Sequence, residues 1–67
     1  MDTHTALALR IKALASEKGK SLNRLADFAG ISRSHLSRIL NQGQSPTVAT
    51  LEKIAHALEV GIGDLFR

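Results

Sequence analysis

Two short stretches of helical periodicity lie almost end to end in the middle of this chain, and the joint between them restricts the fold more than any other feature. Ser21 can cap the first, Leu22 to about Ala29, whose inner face is Leu22, Leu25 and Ala26. Ser32 can cap the second, Arg33 to about Leu40, which buries Leu36, Ile39 and Leu40. The connection Ala29-Gly30-Ile31-Ser32 is too short for an antiparallel hairpin with a relaxed loop, so the two helices must cross at a steep angle. Close crossing asks for a small residue, and Ala26 supplies one. The turn asks for a positive φ, which Gly30 adopts without a Cβ clash. Ile31 and Leu36 then fill the wedge between the helices.

Helical spacing continues on both sides of this pair. Leu7, Ile11, Leu14 and Ala15 share a face and predict a first helix from about Thr5 to Lys18, stopped at Gly19. Asn41 to Pro46 is a polar turn with Gly43 and Pro46 as breakers. Thr47 can cap a fourth helix carrying Val48, Leu51, Ile54, Ala55 and Leu58. A short last helix around Gly61 to Phe66 offers Ile62, Leu65 and Phe66. No segment alternates with period two for long enough to be a strand. The expected fold is all-α, one domain over residues 1–67, with five short helices.

A chain of 67 residues has a marginal core, because a domain of about 60 residues buries only about 60% of its unfolded surface. With no cysteine it has no disulfide staple, no cysteine metal site and no cysteine nucleophile. Dimerisation is the remaining way to bury more apolar surface. No apolar run approaches the roughly 18 residues of a membrane span, and Met1-Asp2-Thr3-His4 does not start a signal peptide. A soluble, cytoplasmic protein is expected.

The charge distribution points to a partner. Lys18, Lys20, Arg24, Arg33 and Arg38 face a single acid, Asp27, between Lys18 and Ser45, so this stretch carries +4 of the chain's net +3 and the rest sums to −1. On the predicted third helix the outward side reads Arg33, Ser34, Ser37 and Arg38, with His35 at the edge and no acid. Arginine pairs with guanine O6 and N7 in the major groove, and serine suits bases or phosphates. Steeply crossed helices with such an outer face describe a DNA-binding helix-turn-helix.

The residues Leu25-Ala26, Ala29-Gly30-Ile31-Ser32, Leu36, Ile39, Ser45-Pro46-Thr47 and Leu51-Glu52-Lys53-Ile54-Ala55-His56-Ala57-Leu58 form an ordered set that resembles the phage-repressor/Cro (XRE) helix-turn-helix family. The resemblance runs from about Leu9 to Phe66. It implies a compact five-helix, lambda-repressor-like domain that binds double-stranded DNA as a homodimer on a near-palindromic operator, with the third helix in the major groove. By the same resemblance Arg33, Ser34 and Arg38 match base-reading positions, flanked by Ser32 and Ser37. Ser21, Asn41 and Gln44 match phosphate-contacting positions. Three departures stand out: Leu22 replaces a common glutamine, Gln42 to Ser45 carries no charge, and Ala15 and Leu40 occupy the positions of a common Arg–Glu pair. Losing both partners of a buried pair is far milder than losing one.

Other function classes fit less well. His4, His35 and His56 show no paired metal-ligand spacing, Ser34-His35 diverge on a helix, and no glycine-rich phosphate loop exists, so neither catalysis, a cofactor nor a metal is expected. An antitoxin or protein-interaction module built on the same fold is the alternative, with a toxin as partner. RNA binding finds only Phe28 and Phe66 as aromatics, both expected in the core or an interface. Without a recognisable sensor segment, a concentration-dependent repressor is the economical reading. Val60, Ile62, Leu65 and Phe66 exceed what so short a terminal helix can bury, and predict the dimer surface.

Overall fold

Each long helix begins on a side chain that stands in for a missing backbone acceptor. In the computed structural model, which describes residues 2–67, Asp2, Ser21, Ser32 and Thr47 adopt extended backbone and accept the N–H of Thr5, Arg24, His35 and Thr50. The helices that follow are α1 (Thr3–Glu17), α2 (Leu22–Ala29), α3 (Arg33–Asn41) and α4 (Val48–Ala57). Asp2 starts α1 two residues earlier than the apolar periodicity indicates. The N–H of Thr5 holds its carboxyl below the usual carboxylate range.

Three helices close in the same way. The N–H groups of Lys20 and Gly19 return to the carbonyls of Ala15 and Ser16, those of Ile31 and Gly30 to Ala26 and Asp27, and those of Val60 and Glu59 to Ala55 and His56. Each is a Schellman closure, which needs one left-handed residue past the helix end. Gly30 fills that place after α2 with φ 71°, and Glu59 fills it after α4 with φ 61°.

The expected fifth helix is not an α-helix but a 3₁₀ turn over Ile62–Phe66. Five residues are too few to build a ladder of i→i+4 bonds. Instead the N–H of Asp64 bonds the Gly61 carbonyl, and the Asp64 carboxylate accepts the N–H of Gly61 at 3.0 Å.

Ile11, Leu25, Leu36, Ile39, Ile54, Leu58 and Leu65 are fully buried at the centre, with Leu22, Ile31 and Val60 packed against them. Ala15 and Leu40 join the same core, so the apolar exchange at the common ion-pair positions is accommodated by packing between α1 and α3. Among the described residues α3 rests on α1 and α2 alone, while α4 packs on α2 and the 3₁₀ turn. One whole side of α3 is left open.

Two apolar expectations change, and for Phe28, expected in the core or an interface, the core half falls. Val48 is 66% exposed, because a side chain in the first turn of a helix leans toward its N-terminus and so covers the loop, not the core. Phe28 is 58% exposed on the outer face of α2. Leu65 is 0% exposed within the single chain, since the 3₁₀ turn aims it into the floor made by α1 and α4. Within the single chain it therefore offers no exposed area to the dimer surface expected of it. Val60 is half-buried against the core, and Ile62 and Phe66 remain outward at 36% and 54%.

Candidate nucleic-acid interface

The open side of α3 forms a polar groove lined by Arg33, Ser34, Ser37, Arg38 and Gln42. These residues fall together because positions 33, 34, 37, 38 and 41–42 share one face at helical spacing, opposite the buried Leu36, Ile39 and Leu40. Both arginines and Ser34 are exposed and Ser37 is half-buried. No carboxylate lines the groove, so the formal charge of its lining comes from the two arginines alone.

Neighbouring elements hold several of these side chains. Arg33 donates through Nη1 to Oδ1 of Asn23 on α2. Arg38 donates through Nε to Oε1 of Gln44 at 2.9 Å, in the loop after α3. Lys12 of α1 reaches across with Nζ 3.1 Å from Oδ1 of Asn41, whose Nδ2 is 3.3 Å from Oγ of Ser37. Ser21 and Ser32 spend their acceptor oxygens as caps of α2 and α3, which leaves each hydroxyl proton as a donor beside a helix N-terminus.

Of the residues singled out in the sequence, Arg33, Ser34, Ser37 and Arg38 come together in the groove, with Asn41 and Gln44 bonded at its edge. Ser32 and Ser21 sit at the two helix starts. Asn23, Lys12 and Gln42 belong to the same surface and were not singled out. Gln42 carries the signal of its spacing, four residues past Arg38. Asn23 and Lys12 carry none, because they arrive from other helices.

The remaining features are elsewhere. Lys20 Nζ lies 5.4 Å and Arg24 Cζ 5.9 Å from the centre of the Phe28 ring, so two cations of the basic stretch cover an exposed aromatic on α2. His4 Nε2 is 3.2 Å from the Ile39 carbonyl, His35 is half-buried and His56 is exposed. Among the described residues no three His, Asp or Glu side chains gather as a metal site, and no helix is long and apolar enough to cross a membrane.

A family model described as helix-turn-helix matches residues 11–65, from the middle of α1 to the 3₁₀ turn. The chain belongs to the helix-turn-helix family. It is 46% identical over 54 residues to the HTH-type transcriptional regulator SutR of Escherichia coli, covering 81% of this chain and 30% of that protein. Its likeness to the HTH-type transcriptional regulator SinR of Bacillus subtilis is 42% over 57 residues, covering 84% of this chain and 51% of SinR. The chain therefore spans about half or less of these curated relatives. Among solved structures, the N-terminal DNA-binding domain of SinR superposes with TM-score 0.85 at 38% identity, covering 96% of this chain and 94% of that one. SinR in complex with DNA superposes at 0.83 with 39% identity, over 91% of this helix-turn-helix chain and 98% of the chain in that structure. The restriction-modification controller protein C.AhdI of Aeromonas hydrophila gives 0.87 at 26% identity, over 92% and 94%.

Proposed function

We propose that the chain is a sequence-specific double-stranded DNA-binding transcriptional regulator, a cytoplasmic repressor that acts as a homodimer on a near-palindromic operator. The observation that carries this reading is the outward face of α3, where Arg33, Ser34, Ser37 and Arg38 line one groove with no acid among them. A helix of this width fits the major groove, and its bidentate and hydroxyl donors match the edges presented there. Ser21 and Ser32 cap two helix starts, whose free N–H groups and hydroxyl donors suit phosphate. The likeness to SinR solved with DNA, and to proteins named as transcriptional regulators, supports the same reading over enzyme or toxin-binding roles.

The dimer rests on Phe66 and Ile62, outward on the 3₁₀ turn, and on a cleft beside Phe66 bordered by Ala6 and Leu7 of α1. A Phe66 ring from each copy seated in the cleft of the other makes a self-complementary, two-fold contact. With α3 on a different face, the two recognition helices then meet successive turns of the duplex, about 34 Å apart.

Selection of bound duplexes from a random library, followed by titration at two salt concentrations, tests the function. A shared half-site in inverted repeat, bound more weakly as salt rises, is the expected result. Recovery of no common sequence overturns it.

A further inference from the structure

We propose that Gln44 is a positioning residue that aims Arg38 at one base, and so sets sequence preference without reading a base itself. This rests on the DNA-binding reading above. Gln44 is attached to Arg38 twice. Its backbone N–H donates to the Arg38 carbonyl at 3.2 Å, and its side-chain Oε1 accepts from Arg38 Nε at 2.9 Å. The loop reaches back because Gly43, at φ 71°, reverses the chain just before it. Once the backbone bond is made, the amide is already beside the guanidinium, and little further freedom is lost in closing the second bond.

The chemistry of the pair decides what it does. Arginine has no acceptor, so the amide oxygen of Gln44 must face Nε. With Nε occupied, the guanidinium presents its terminal Nη1 and Nη2, the two-pronged donor that matches guanine O6 and N7. A free arginine would also sample its Nε–Nη edge and the nearby phosphates, and would have to be ordered at the moment of binding. Nothing acidic lines the groove to draw the side chain elsewhere. Gln44 thus acts through Arg38.

The test uses the full chain and the duplex it selects. Arg38→Ala first assigns the base pair that Arg38 reads. Gln44→Ala is then titrated on the selected duplex and on duplexes changed at that pair or at others. Ordering one side chain on binding is worth about a two- to ten-fold change in affinity. Gln44→Ala is expected to lose about that factor on the selected duplex and little on duplexes changed at the Arg38 pair, so discrimination falls at one position only. In the Arg38→Ala background it should change nothing. Gln44→Glu keeps an acceptor for Nε, and should retain discrimination while weakening every duplex through its charge. In the free protein the Arg38 Nε proton should exchange slowly with water, and faster in Gln44→Ala.

A uniform loss on all duplexes, the same loss without Arg38, no effect on the selected duplex, or a wild-type Nε proton exchanging like that of a solvated arginine each overturn the proposal. Those results leave DNA binding standing. A wild-type chain that selects no sequence removes both.

Discussion

Glu59 occupies a backbone region that side chains avoid. At φ 61° it closes α4 as Gly30, at φ 71°, closes α2, yet it carries a Cβ that the left-handed region penalises by about 1–2 kcal/mol. Glycine there removes that penalty but gives the unfolded chain more freedom, which returns about 0.5–1 kcal/mol. Glu59→Gly should therefore stabilise the domain by about 0.5–1 kcal/mol, read as a Tm a few degrees higher; an unchanged or lower midpoint refutes it. Gly30 offers the opposite case. A Cβ built on it meets nothing within 4 Å, so space is not the obstacle and the backbone angle alone is. Gly30→Val should cost about 1–3 kcal/mol, and with some 4–8 °C of Tm per kcal/mol in a domain this small the loss is easily read by thermal melting. A midpoint equal to wild type would mean that the joint tolerates a branched residue.

At the scale of elements, α3 is a core helix on one side and the proposed recognition surface on the other. Removing an outward side chain should leave its packing untouched, because Leu36, Ile39 and Leu40 hold it on α1 and α2. Arg33→Ala and Arg38→Ala should each melt like wild type and cost about 1–3 kcal/mol on the selected duplex, with preference relaxed at one base position each. Variants that bind as tightly as wild type would remove these arginines from base reading. Much of this element was legible in the sequence, since capping serines, a breaker glycine and helical spacing are local signals. Ser32, Gly30 and the buried triad stand where those signals put them. What was illegible is tertiary. Asn23 and Lys12 join the surface only because α1 and α2 pack at particular angles on α3, and no spacing along the chain encodes that. Val48 misled for a related reason: it keeps the period of α4, but the first turn of that helix has no core above it. The 3₁₀ turn misled through length, because apolar spacing over five residues does not distinguish three residues per turn from 3.6.

For the whole molecule, the open question is how one small domain chooses a site. A single helix reading a few base pairs competes with about 10⁶ or more other sites, and two copies on a two-fold axis square the discrimination. The end of the chain separates the two parts that its apolar residues play. Leu65 belongs to the fold, at 0% exposed, whereas Phe66 beside it is 54% exposed and available to a second copy. Glutamate at the two positions should therefore act differently. Leu65→Glu places an unpaired carboxylate in the core, which costs several kcal/mol against a total stability of roughly 5 kcal/mol for a domain of this size, and circular dichroism should show an unfolded chain. Phe66→Glu leaves the core intact and, in the proposed dimer, puts a carboxylate beside Asp2 in the cleft where each ring would seat. Sedimentation should then find a folded monomer, and titration of the palindromic duplex should show weak, non-cooperative binding at each half-site. A Phe66→Glu chain that sediments as a dimer and binds the operator like wild type would place the contact between copies on another face of the domain.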